Sequence, residues 1–183
     1  MRAFVLSILC TAALPISAAQ GAVMTIGGPL SHLCYESALA ADSRAEAIDG
    51  CTRALEEESL TTPDRAATLV NRGILFMSGG HYADADADFD AALKIEPRLA
   101  DGWLNKGFLR LRTGDGHDAL PFIQKGIDVG AGNEALAIFA RGVAHEQMGE
   151  FSLAYADLRS AQRLAPGWSL PREYLSTYRV NDR

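Results

Sequence analysis

The sequence predicts an all-α protein of antiparallel helix hairpins stacked side by side, on three observations. First, two glycine columns recur: Gly73, Gly107 and Gly142 are separated by 34 and 35 residues, and the same steps connect Gly80, Gly114 and Gly149. Second, small and large apolar residues keep that register. Ala85, Ala119 and Ala154 form one column and Ala92, Gly126 and Ala161 another. Phe89, Ile123 and Leu158 align in the same way, as do Leu69, Trp103 and Ile138. Third, Pro97 and Pro166 close two of the units, with Ala131 between them. A period of this length marks a repeat array.

Each column has a physical task. The first glycine column and the alanine columns are small so that the two helices of a unit can approach closely, and the large apolar columns fill the space beside them. The second glycine column falls where the first helix ends, because a left-handed C-terminal residue is least costly for glycine. Proline cannot continue a helix, so it stops the second one. A single hairpin cannot bury both of its faces, and neighbouring units must therefore stack. Asn71-Arg72-Gly73, followed by Gly80, Tyr82, Ala85, Phe89, Ala92 and Pro97, resembles the tetratricopeptide repeat (TPR) family. The resemblance implies a right-handed superhelix of helix hairpins, a TPR solenoid, with repeats at 66–99, 100–134 and 135–168. The third unit matches through Gly142, Gly149, Phe151, Ala154 and Pro166. The middle unit departs more: Arg110 takes a column that is usually aromatic, and Ala131 replaces the proline beside one extra residue. Pro121 lies early in its second helix, where it removes a backbone hydrogen bond or kinks the start.

The flanking elements follow in chain order. In residues 1–19, Arg2 precedes an apolar stretch from Ala3 to Ile16, and Ser17-Ala18-Ala19 supplies small residues for cleavage. This pattern reads as a secretory signal peptide, too short for a comfortable membrane span, with an uncleaved anchor as the alternative. The mature chain is expected outside the cytoplasm, periplasmic or secreted, with no stable membrane span after cleavage. Residues 20–29 carry Val23, Met24 and Ile26 beside Gly27-Gly28-Pro29. They could fold back over the array or trail as a flexible terminus. Residues 30–58 read as a degenerate fourth hairpin, Leu30 to Ala41 and Ser43 to Glu58, with its turn near Asp42-Ser43. Cys34 and Cys51 are almost equidistant from that turn, so they lie side by side as a disulfide requires. Such a bond in an exported chain would contribute about 3 kcal/mol, two free buried thiols being the alternative. Ser59 to Arg65, with Thr61-Thr62-Pro63-Asp64, reads as a loop. Residues 169–180 read as a capping helix with Ser169 at its N-cap, Pro171 in its first turn, and an apolar stripe of Leu170, Tyr174, Leu175 and Tyr178.

Composition narrows the function classes. Hydrophobic residues are 48% and charged residues 22%, values usual for a soluble globular protein. The 23 acidic against 17 basic residues give a net charge of −6, which argues against non-specific nucleic-acid binding. There is no Walker loop, no Gly-x-Ser-x-Gly elbow, no His-Glu-x-x-His and no Cys-x-x-Cys. His32, His81, His117 and His145 are scattered over different elements. His32, Cys34 and Cys51 lack a fourth ligand at a recognised spacing. Asp84, Asp86, Asp88 and Asp90 read as a solvated acidic helix face, or more sharply as a weak electrostatic partner site. No catalytic role, cofactor or metal is therefore expected.

In the TPR family the first helix of each unit lines a concave surface that binds peptides or partner segments. The resemblance nominates Val70, Asn71, Ile74 and Met77 from the first unit, and Leu104, Asn105, Phe108 and Leu111 from the second. The third contributes Phe139, Ala140, Val143 and Gln147. Asn71 and Asn105 are equivalent positions, and a side-chain amide offers both the donor and the acceptor needed to hold an extended backbone. Local capping is the plainer reading of the two asparagines. An apolar surface of this kind marks a binding site or is covered by the chain itself. Arg72, Lys106 and Arg141 adjoin the glycine column, so the carboxylate clamp of the family's chaperone-binding members is not carried over to them. The expected function is an exported TPR scaffold that binds a peptide or protein partner. An accessory factor in envelope, secretion or cofactor-maturation assembly is the second reading. A small-ligand-binding protein or hydrolase is the third.

Overall fold

The computed structural model describes residues 21–178 except 26 and 115, so the signal-peptide reading of 1–19 lies outside the described residues. Among the described residues there are nine helices and no strand. They are α1 (Pro29–Leu39), α2 (Ala45–Glu57), α3 (Thr62–Ser78), α4 (Tyr82–Ile95), α5 (Ala100–Arg112), α6 (Gly116–Asp128), α7 (Glu134–Gln147), α8 (Phe151–Leu164) and α9 (Ser169–Ser176). The three repeats are the hairpins α3–α4, α5–α6 and α7–α8. The expected fourth hairpin is α1–α2, and α9 packs on α8 at the far end. The first helices α1, α3, α5 and α7 form one continuous row. The second helices touch the next unit's first helix rather than one another. A stack joined closely along one row bends toward it, so the first helices form the inner face of a helical solenoid.

The glycine columns behave as their chemistry demands. Gly80, Gly114 and Gly149 have φ of +80°, +83° and +76°, each just beyond the end of a first helix. Gly73 faces Phe89 so closely that an added Cβ would lie 2.5 Å from the ring edge, and Gly107 faces Ile123 more tightly still. Pro97 and Pro166 follow the C-caps of α4 and α8, Glu96 and Ala165. Pro121 sits inside α6.

Two boundaries differ from expectation. Residues Thr61 to Asp64 are a helix start rather than a loop, since the Thr61 hydroxyl accepts from the Asp64 amide at 3.3 Å and Pro63 falls in the first turn. That capping chemistry begins α3 four residues before Ala66. At the other end Trp168, not Ser169, is the N-cap of α9. The Trp168 ring lies 4.9 Å from Phe139 and sets the chain's entry into the helix, with Tyr174 closing on the same phenylalanine at 5.1 Å.

The run of four aspartates is a solvated face only in part. Asp88 is buried and takes a forked pair of hydrogen bonds from Arg72, both at 2.8 Å. Asp86 holds Lys106 and Arg110 at 3.1 and 2.8 Å, while Asp90 holds Lys106 alone. Asp84 and Asp90 remain exposed, whereas Asp86 and Asp88 point toward cations on the helices opposite them. Those cations are therefore occupied within the array.

Candidate peptide-binding groove

Helical spacing brings Val70, Asn71, Ile74 and Met77 to one face of α3, and Leu104, Asn105, Phe108 and Leu111 to the matching face of α5. All eight are buried. From α7, Phe139, Ala140 and Val143 are buried as well, whereas Gln147 is exposed and donates to the Leu111 carbonyl at 3.0 Å. Phe139 lies beneath the capping helix against Trp168 and Tyr174, so it supports the groove's end rather than its open surface.

Part of this face is covered by the chain itself. The N-terminal segment Gly21 to Thr25 lies across it, with Ala22 and Val23 packed on the apolar cluster and Met24 turned outward. The Val23 amide donates to Asn71 Oδ1 at 2.8 Å, and Asn71 Nδ2 donates back to the Val23 carbonyl at 2.7 Å. One unit further on, Asn105 Nδ2 donates to the Gly21 carbonyl at 3.1 Å and to its own helix at Asp101. Asn105 Oδ1 is buried without a hydrogen-bond partner. The equivalent position of the third repeat is Ala140, so the row of amides ends after two rungs.

The exit of this segment is pinned. Glu58, just past α2, accepts from the Leu30 and Ser31 amides at 2.7 and 3.0 Å. These are first-turn N–H groups of α1 with no partner inside the helix. Burial pushes the Glu58 carboxyl up, but the surrounding amide and hydroxyl donors outweigh it and hold it below its ordinary value. Gly27 and Gly28 allow the chain to pass here, since a Cβ on either would strike Ser31 or Glu58. Behind this corner the sulfurs of Cys34 and Cys51 are 2.06 Å apart in a disulfide that joins α1 to α2.

The asparagines were legible from the repeat alignment. The register of Gly21 and Val23 over them was not, because the segment lies outside the period. Glu58 was not legible for the same reason: it lies about thirty residues from Gly27-Gly28-Pro29 in the chain, and only the α1–α2 hairpin brings it to the helix start. On the outer side, an open hollow of about 490 Å³ lies at Pro121, lined by Arg141, His145 and Leu153 among others. Its polar groups already have partners: Arg141 forks onto Asp157 and reaches Gln124, and His145 meets Glu150 at 2.6 Å. No group of three or more potential metal ligands occurs among the described residues.

Comparison with known proteins supports the fold. Similar solved structures include MamA 41-end from Desulfovibrio magneticus RS-1, at 22% identity and a TM-score of 0.63, covering 82% of this chain and 84% of that one. A MamA RS-1 ArsTM double mutant matches at 21% identity and the same TM-score, covering 82% and 83%. MamA is a TPR-repeat protein, so the likeness is to a TPR-type fold. No family model matches the chain, and no curated protein does. No helix among the described residues is long and apolar enough to cross a membrane.

Proposed function

We propose that this chain is an exported TPR-type scaffold that holds an extended segment of a protein partner along the inner face of α3, α5 and α7. The observation that carries the reading is the two-way hydrogen bonding between Asn71 and the Val23 backbone. It supports the reading because it is the kind of contact a bound extended polypeptide would need. A side-chain amide that satisfies both N–H and C=O of one residue compensates the desolvation of that residue and leaves side-chain choice to the apolar walls. Backbone capture of this kind needs no charge, in keeping with cations that are consumed by their own aspartates. The buried disulfide favours an oxidising compartment, which agrees with the leader-like residues 1–19.

The test is site-specific photo-cross-linking in the producing cell. A cross-linker at Gln147, exposed at the α7 end of the inner face, is expected to capture a discrete protein partner. The same group at Leu164, exposed at the end of outer helix α8, is expected to capture none. Equal yields from the two positions would overturn the groove as the working surface. An assembly-accessory role is a special case of the same reading, separated by which partner is captured.

A further inference from the structure

We infer that Gly21 to Thr25 is a resident ligand of the groove, displaced in use by a partner segment that places a glycine over Asn105. The inference rests on the proposed groove and adds the occupant, its displacement and the residue the second rung demands. Three observations support it.

The segment is held as a ligand would be. Its hydrogen bonds to the inner face run through its own backbone at Val23 and Gly21, and the asparagines that hold it come from two different repeats. As the chain runs from Gly21 to Val23 it passes from the second repeat toward the first, so a visiting segment is expected in that polarity.

The second rung excludes side chains. A Cβ on Gly21 would lie 2.8 Å from Asn105 Oδ1 and 2.9 Å from Nδ2, and Asn105 is fixed by its bond to the Asp101 carbonyl. Asn105 is 1% exposed, so it has no free space to swing into. Glycine is therefore a requirement of close approach at this point rather than of backbone conformation.

The resident is also an imperfect fit. It satisfies both functions of Asn71 but only the donor of Asn105, leaving Oδ1 buried and unpartnered beside Gly21. Thr25 is 5% exposed and its hydroxyl is likewise unpartnered. A partner whose glycine N–H reaches Asn105 Oδ1 would make the missing bond, so an incoming segment has an advantage over the one already there. The tether favours the resident by proximity, and the unmade bonds favour the visitor.

The experiment uses the full chain, native and with Gly21→Val, together with a fluorescent synthetic peptide of residues 20–29 and its Gly21→Val counterpart. Hydrogen exchange at the Val23 amide reports whether the segment is seated. Fluorescence anisotropy reports peptide binding. In the native chain Val23 is expected to be protected, and in Gly21→Val to exchange freely while the helices remain protected. The variant chain is then expected to bind the native peptide at least about tenfold more tightly than the native chain does, the factor imposed by an occupant present about nine-tenths of the time. The valine peptide is expected to bind at least about tenfold more weakly than the native peptide. Equal binding by the two chains would overturn residency and leave the groove standing. Equal binding of the two peptides, or a Val23 amide still protected in the variant, would overturn the glycine requirement. A variant whose Val23 is released but which binds neither peptide would overturn the groove itself.

Discussion

The first and third repeats fork an arginine onto an aspartate of their own second helix, whereas the lysine at that position in the middle repeat bonds only to carboxylates of its neighbour. In the first, Arg72 of α3 forks onto Asp88 of α4. The third repeats the arrangement with Arg141 and Asp157. In the middle unit Phe122 stands where the aspartate would be, and Lys106 turns instead to Asp86 and Asp90 of the first unit while lying 5.1 Å from the Phe122 ring. Arg110, in the column expected to be aromatic, joins Lys106 on Asp86. Two departures from the period, Lys106 for arginine and Phe122 for aspartate, thus replace a fork within a unit by a bond between units. In a solenoid these are separate contributions, one to the repeat and one to the interface. Arg110, one of the departures of the middle unit from the repeat pattern, is thus among the contacts that join it to the first.

The largest effect expected from this contrast comes from Asp88→Asn and Asp157→Asn. Each leaves a partly buried guanidinium without its fork, a change expected to lower stability by about 2–3 kcal/mol, below the full cost of breaking a completely buried pair. Asp90→Asn is expected to change stability by less than about 0.5 kcal/mol, because its carboxylate is 65% exposed and Lys106 keeps Asp86. Urea denaturation measures all three. Comparable losses at Asp88 and Asp90 would erase the distinction between closed and bridging units. Acid should act on the bridge as well. Burial pushes the Asp86 carboxyl up, but Arg110 and Lys106 outweigh it and hold it below its ordinary value. Its contribution is therefore present above the ordinary carboxylate range and lost as pH falls through the lowered value.

An intermediate effect regroups the units by packing instead of charge. A Cβ at Gly73 or Gly107 would press into Phe89 or Ile123, whereas at Gly142 the nearest atom, Asp157 Cβ, is 3.2 Å away. Gly73→Ala and Gly107→Ala are expected to lose about 1–2 kcal/mol, because overpacking exceeds the gain of about 1 kcal/mol from replacing glycine in a helix. Gly142→Ala is expected to be close to neutral. By this measure the third unit is the exception, and uniform losses across the three would show that the column is equally tight throughout.

How much of this was readable in the residues depends on what repeats. The helix pairs and the left-handed glycines follow from columns in register, because each column answers the same steric demand three times; Asn71 and Asn105 share that register in a column that ends at Ala140. The pairing of Cys34 with Cys51 followed from the symmetry of a hairpin about its turn. The acidic run is solvated only in part because its alternation says nothing about what lies opposite, and Arg72, Lys106 and Arg110 come from neighbouring helices. The start of α3 was placed late because Thr-Thr-Pro-Asp has turn composition, yet Thr61 and Pro63 serve a helix N-terminus equally well. The occupant of the groove was left open since nothing in a non-repeating segment of small residues specifies where it docks. That information lies in the space Asn105 leaves, which only glycine fills.

A small effect isolates a carboxylate on the middle unit's side of this joint, one with the opposite sign. Asp101 lies in the first turn of α5, one turn before Asn105, and burial raises its pKa above the ordinary value. A raised carboxyl contributes fully to stability below its unfolded value and loses that contribution as pH rises through the folded one. At neutral pH the charged Asp101 is thus a mild liability beneath the rung that holds Gly21. Asp101→Asn keeps the shape and removes the charge, so it is expected to raise the melting temperature at pH 7 by the equivalent of less than about 1 kcal/mol. Near pH 3, where the native carboxyl is already neutral, the two proteins are expected to melt together. An advantage that persisted undiminished at pH 3 would mean that the asparagine gains by a new hydrogen bond. Asp86, held low by two cations, and Asp101, held high by burial, would then no longer form an opposed pair within the same joint.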